Sequence, residues 1–262
     1  MITIQNYVRV QSLEEAWQLN QKKTNRILGG MLWLRLGSGS IHTAIDLCEL
    51  GLDKVEETDE QFSIGAMVTL RQLETHEGLN AYTQNALRNA VKDIIGVQFR
   101  NMATIGGSIW GRFGFSDVMT VFLAMDAYVE LYRGGIVPLE EFVSMPKDRD
   151  ILVRILVKKS AGTFAYHSVR NQRTDFPGLA CAVSQVNGAY RAVIGARPAI
   201  AKVVRDENKL LDGGVTAESA KAFAAFVAEQ VRTQSNVRGS AAYRTHLTRV
   251  LTERALLELG GH

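Results

Sequence analysis

Two glycine pairs are the residues of this chain best suited to chemistry. Thr104-Ile105-Gly106-Gly107-Ser108-Ile109 sets adjacent glycines between β-branched residues and a small hydroxyl, and Ser116-Asp117 follows. That composition predicts a tight backbone turn whose N–H groups approach an anion with no side chain in the way. Asp117 opens a helical pattern (Val118, Val121, Phe122, Met125), so it reads as the N-cap, with a carboxylate free to face whatever the turn holds. Gly29-Gly30, after the short apolar run Arg26-Ile27-Leu28, is the second pair. On these residues alone, each pair is either an anion-holding turn or a plain structural turn before the next element.

Other chemistry has little support. The five histidines (His42, His76, His167, His246, His262) share no ligand-like spacing, and the two cysteines, Cys48 and Cys181, are too few for a cysteine-rich zinc or iron–sulfur site. Neither Gly-x-Gly-x-x-Gly nor Gly-x-x-x-x-Gly-Lys occurs, and no triad or paired-carboxylate pattern stands out. No catalytic or metal-binding side chain is therefore assigned. With 262 residues, 46% hydrophobic residues and a net charge of +3, the chain reads as globular, with scattered basic residues that give no support to nucleic-acid binding. Residues 1–11 lack a basic-then-apolar signal pattern and no apolar run approaches membrane-spanning length, so a cytoplasmic protein is expected.

The elements that must position the glycine pairs follow from periodicity. Ser12 caps a helix over 13–19, residues 26–28 form a short strand, and 41–47 form another. The polar stretch 53–61 separates that strand from a strand and turn over 62–70, and is taken as a subdomain boundary. Residues 80–95 read as one helix. Strands are expected at 128–132, entering the Gly134-Gly135 hairpin, and at 151–157, 162–170 and 190–196. A helix over 247–259 closes the chain.

The spelling from Asn101-x-Ala103-Thr104-Ile105-Gly106-Gly107-Ser108-Ile109 through Ser116-Asp117 to Leu123-Ala124-Met125-Asp126-Ala127 resembles the second flavin-binding motif of the molybdenum-hydroxylase flavoproteins. These are the FAD-binding (medium) subunits of the xanthine dehydrogenase and carbon monoxide dehydrogenase type. Ser108 stands where the family has Asn. The resemblance runs over residues 5–257, including Ser240-x-x-Tyr243-Arg244 near the end. It is weakest at Leu28-Gly29-Gly30-Met31-Leu32-Trp33, where Met31 and Leu32 replace the hydroxyl and acid of the family's Ala-Gly-Gly-Thr-Asp-Leu.

This resemblance implies an α+β protein: a two-subdomain FAD-binding fold of the vanillyl-alcohol-oxidase/molybdopterin-dehydrogenase type, at 1–55 and 56–160, plus a C-terminal sheet-and-helix domain at 161–262. It implies FAD held between residues 28–33 and 104–108 (Thr104, Ile105, Gly106, Gly107, Ser108). Asp117 would accept from a ribose or ribityl hydroxyl and Leu152 would lie at one ring end. His167 stands where relatives often carry Lys, and Ile94 where many have an aromatic. His167 is either a charge near the flavin or an exposed strand histidine, Arg170 and Arg173 are taken as solvated charges, and Trp33 and Trp110 as core packing. The partners implied are an iron–sulfur subunit and a molybdopterin-binding large subunit, with NAD+ or another acceptor taking the electrons. Two alternatives stand beside this: an assembly subunit with weak or no flavin, because of Met31 and Leu32, and a free-standing flavin oxidoreductase.

Overall fold

The computed structural model describes residues 1–261; His262 lies outside the described residues. Two compact units interleave along the sequence. The first consists of 1–72, 97–111 and 127–157; the second of 73–96, 112–126 and the chain from 158 onward.

The first unit holds two sheets. In the parallel one, β1 (Ile2–Arg9) and β2 (Arg26–Leu28) flank β3 (Gly39–Asp46). The helix Leu13–Asn20 makes the first crossover, and Ser12 caps it as expected by accepting the Glu15 N–H. The connection from β2 to its parallel neighbour β3 spans only residues 29–38, whereas parallel neighbours ordinarily need about a dozen residues or more. Gly29-Gly30, Met31 in the left-handed region at φ 59°, and a 3-10 turn at Leu34–Leu36 compress it. Met31 and Leu34 pack on Leu28, Ile41 and Ala44, and Leu32 is buried.

The second sheet runs β4 (Val55–Glu57), β5 (Gln61–Gly65), β8 (Leu152–Lys158), β6 (Ala127–Leu131), β7 (Gly135–Pro138). The polar stretch expected to separate subdomains forms the β4–β5 hairpin inside this unit. Ala16 and Trp17 of the first helix join Ile45, Leu47, Ile151 and Val153 in the core.

The second unit is built on an antiparallel sheet in the order β12 (Lys202–Arg205), β11 (Ala189–Gly195), β10 (Pro177–Val186), β9 (Gly162–Arg170). Nearly every residue of β10 is buried, because helices cover both faces. Leu179, Cys181 and Val183 point to the helices Ala217–Gln230 and Ala241–Leu259, meeting Phe223, Val227, Leu251 and Ala255. Ser184 points the other way and donates to the Ala124 carbonyl at 2.5 Å, just beyond the helix Asp117–Leu123. A strand covered on both sides loses its polar alternation.

Two expectations need correction. The helix expected over 80–95 is two helices, Glu77–Tyr82 and Ala86–Val91, broken where Gln84 and Asn85 adopt φ 47° and 65°. There the Asn85 N–H reaches back five residues to the Asn80 carbonyl and the Leu87 N–H takes the Thr83 hydroxyl, so the regular helical ladder is interrupted. The last helix starts at Ala241, capped by Ser240, earlier than the apolar pattern indicated.

The packing of the 29–38 crossover gives a first prediction. Changing Met31→Thr together with Leu32→Asp restores the family's spelling but places a carboxylate at a buried position. It should cost about 2–4 kcal/mol in a denaturant melt. A variant that melts with the wild type would show that these side chains contribute no packing.

Candidate functional site

The two glycine pairs sit in one place in the first unit. A Cβ on Gly30 would stand 1.8 Å from the Met102 carbonyl oxygen, one on Gly106 2.5 Å from that of Ala66, and one on Gly29 2.9 Å from Thr104 Oγ1. Met31, not a glycine of either pair, takes the left-handed conformation. The glycines therefore answer a need for close approach of chain to chain rather than for a special φ.

The tight turn expected at Thr104–Ser108 is instead the first turn of a helix, Ile105–Gly111. Thr104 Oγ1 accepts the Gly107 N–H at 3.1 Å, while the N–H groups of Ile105 and Gly106 donate to the carbonyls of Val68 and Ala66, each at 2.8 Å. The donors that the sequence offered to an anion are thus engaged within the fold. The Ser108 hydroxyl likewise turns back onto the Thr104 carbonyl, and Ile105 is fully buried.

Around this junction lies a cavity of about 340 Å³. Leu28, Gly29, Thr104, Gly106, Gly107 and Leu152, all expected contacts, line it. Ile27, Leu47, Met67, Trp110 and Ile151 add an apolar wall, and Asn20, Arg26, Asp148, Arg149 and Asp150 a polar one. Gly30, Met31, Leu32, Trp33, Ile105 and Ser108 support the junction from outside that lining; Trp33 is 43% exposed and Trp110 packs on Phe142 at 5.8 Å between ring centroids. An apolar slot with one polar wall and a stretch of bare glycine backbone suits part of a dinucleotide such as FAD. Sequence reading missed the polar wall. The signal for it was slight: an Asp-Arg-Asp run just before β8, and an arginine opening β2.

Asp117 belongs to the second unit, and its role there differs from the expectation. Ser116 is the cap, accepting the Met119 N–H at 3.0 Å, and Asp117 is the first helical residue. The buried Asp117 carboxylate accepts from Arg170 Nη2 at 2.7 Å and from the Tyr166 hydroxyl. Burial raises the Asp117 carboxyl above its ordinary range, with Arg170 and Tyr166 pulling the other way. Burial, followed by the Asp117 charge, holds the Tyr166 hydroxyl well above the usual tyrosine value. Arg170, expected as a solvated charge, has a side chain only 7% exposed and also donates to the Asp175 carbonyl at 2.6 Å. Arg173 is an exposed partner of Asp93.

Strand parity separates His167 from this cluster. Tyr166 and Arg170 lie on the face of β9 toward Asp117, whereas His167 points to the opposite face, with Nε2 2.8 Å from Glu258 of the last helix. The two expected contacts from the second unit, Asp117 and His167, are therefore not brought together. Ile94, also in this unit, follows the helix Ala86–Val91 in the bend that closes with its N–H on the Val91 carbonyl. Among the described residues, no group of three or more His, Cys, Asp or Glu side chains is arranged to hold a metal ion.

The Tyr166 environment predicts alkaline sensitivity. An unfolded tyrosine ionises near pH 10 and the folded one above it, so the stabilisation is present below about pH 10 and is lost as pH rises through the folded value. Urea midpoints should decline across that range, and decline less in Tyr166→Phe; identical slopes for the two proteins would remove Tyr166 as the cause.

Comparison with known proteins agrees with this geometry. Residues 2–160 match the family model of the FAD binding domain in molybdopterin dehydrogenase, and 164–259 that of the CO dehydrogenase flavoprotein C-terminal domain. The chain is 27% identical to the uncharacterized Escherichia coli protein YgfM, across 95% of its own length and 93% of that protein's. It is 28% identical to the 6-hydroxypseudooxynicotine dehydrogenase complex subunit alpha of Paenarthrobacter nicotinovorans, covering 79% of this chain and 75% of that one. Its fold is similar to a chain of carbon monoxide dehydrogenase from Hydrogenophaga pseudoflava, with a TM-score of 0.85 at 23% identity over 100% and 98% of the two chains. With an FAD-binding domain followed by a flavoprotein C-terminal domain, this chain belongs to the FAD-binding subunits of the molybdopterin dehydrogenase, or molybdenum hydroxylase, family.

Proposed function

We propose that this chain is the electron-transfer subunit of a molybdenum hydroxylase similar to xanthine dehydrogenase. It passes electrons from iron–sulfur centres of a partner subunit, fed by a molybdopterin-binding large subunit, to NAD+ or another acceptor. The observation that carries the reading is the meeting of Gly29-Gly30 and Thr104–Gly107 beside one cavity. Bound FAD supplies a ring that accepts electrons singly and delivers a hydride. The chain's own part is to hold and orient the cofactor: Gly29, Gly106 and Gly107 line the cavity with backbone alone, Thr104 presents a hydroxyl, and Leu28, Met67 and Leu152 form the dry wall. The absence of an assigned catalytic side chain suits this division of labour. Relatives named as a medium subunit and as a complex subunit support partner chains. Among the described residues no helix is long and apolar enough to cross a membrane, and both cysteines are free thiols. Both facts suit the cytoplasm.

A second reading, an assembly subunit with weak or no flavin, is favoured by the packing of Met31 and Leu32 where relatives offer polar groups. The purified chain separates the two. Heat or acid should release a yellow supernatant that chromatographs as FAD. A colourless chain that also takes up no added FAD would sink the first reading and leave the second. Co-purification with iron–sulfur and large subunits would exclude a free-standing oxidoreductase.

Gly30→Ala tests the junction itself. Its methyl would overlap a backbone carbonyl that cannot swing aside, so the loops must part. The variant should lose FAD affinity by about tenfold or more and melt lower. Wild-type affinity in that variant would show that the junction is not part of the site.

A further inference from the structure

The polar wall of the cavity holds two arginines that the fold pairs with no carboxylate. Arg149 Nε donates to the Asn20 carbonyl, and Nη2 to the carbonyls of Lys22 (2.8 Å) and Asn25 (3.1 Å) and to Asn20 Oδ1 (3.2 Å). Arg26 Nη1 donates to the carbonyls of Lys23 and Asn25. Every one of these partners is neutral. Both arginines line the cavity. Burial and then the charge of Arg26 pull Arg149 below the ordinary arginine value, the mark of two cations sharing one site.

The two aspartates on the same wall take other partners. The Asp150 carboxylate is held by the N–H groups of Arg133 (3.1 Å), Gly134 (2.7 Å) and Ile151 (2.8 Å), which disperse its charge into the β6–β7 hairpin and the start of β8. Asp148 is exposed and accepts the Asp150 N–H at 3.0 Å. Neither forms an ion pair with Arg26 or Arg149. Opposite, the N–H groups of Ile105, Gly106 and Gly107 are engaged within the fold.

We infer that Arg26 and Arg149 are anion-binding residues of this cavity, holding the phosphates of a nucleotide. Arg149 is preorganised for this, since the carbonyls around Asn20 to Asn25 fix its guanidinium while its Nη1 remains for a ligand. The inference rests on the FAD reading and adds the groups that compensate the cofactor's negative charge.

The test uses the full chain freed of flavin and titrated calorimetrically with FAD, ADP and adenosine. Arg26 is exposed and its bonds are local, so Arg26→Gln should fold as the wild type. It should weaken ADP and FAD by about tenfold or more, the loss expected for a charge-assisted hydrogen bond, while adenosine changes by less than about twofold. Arg149→Lys keeps the charge but not the fork, so it should weaken ADP less than Arg149→Gln does. Added salt should weaken ADP binding in the wild type and less so in Arg26→Gln. If Arg26→Gln binds ADP as tightly as the wild type, or loses adenosine and ADP equally, the assignment is overturned while the FAD reading stands. A wild-type chain that binds no FAD overturns both.

Discussion

The first unit depends on one steric condition: the backbone at Gly30 must reach the Met102 carbonyl with no Cβ between them. This fixes the short crossover between β2 and β3 against the segment entering the helix Ile105–Gly111, and so brings residues distant in sequence to one cavity wall. Met31 at positive φ and the 3-10 turn are the local costs of so short a connection. Met31 and Leu34 offset them by burying apolar surface on Leu28 and Ala44. Met31 and Leu32 thus have a physical place in this chain: Met31 covers the sheet face under the crossover and Leu32 is buried.

The second unit is organised by a buried ion pair rather than by glycine. Asp117 begins a helix that lies on the four-stranded sheet, and Arg170 and Tyr166, four residues apart on one strand face, hold its carboxylate. A buried pair of this kind adds little net stability over an apolar substitute, but removing one partner is costly. It therefore serves to fix the start of the helix on the sheet. The engagement of Asp117 by side chains of its own unit gives it a structural part at the start of this helix.

Much of this was legible in the chain. Ser12 before an apolar period of 3.6, the alternation around residues 128–132, and the Gly134-Gly135 turn all gave elements at the right places, because each depends on local chemistry. The glycine pairs were legible too, since glycine is demanded by close approach whatever lies opposite. What lies opposite was not. That the Gly106 N–H meets Ala66, or that Arg149 reaches back to Asn20, is a matter of tertiary distance that no spacing encodes. His167 is an intermediate case: its parity on β9, opposite to Tyr166 and Arg170, already separated it from Asp117, but only once the strand's covering helices were known. The cap at Ser116 rather than Asp117 is a one-residue difference between two good capping types, and the extended ψ of 109° at Ser116 decides it.

The cavity walls come from residues 20, 26–29, 47, 66–67, 104, 106–107, 110 and 148–152, segments spread across most of the first unit. No partly folded form that lacks any one of them has a place for the cofactor. On the proposed reading FAD binds the completed unit alone, and by mass action it stabilises that unit in step with the logarithm of its concentration above Kd. Cofactor supply in the cell then sets how long this chain survives unfolding and proteolysis, independently of whether any electron passes through it.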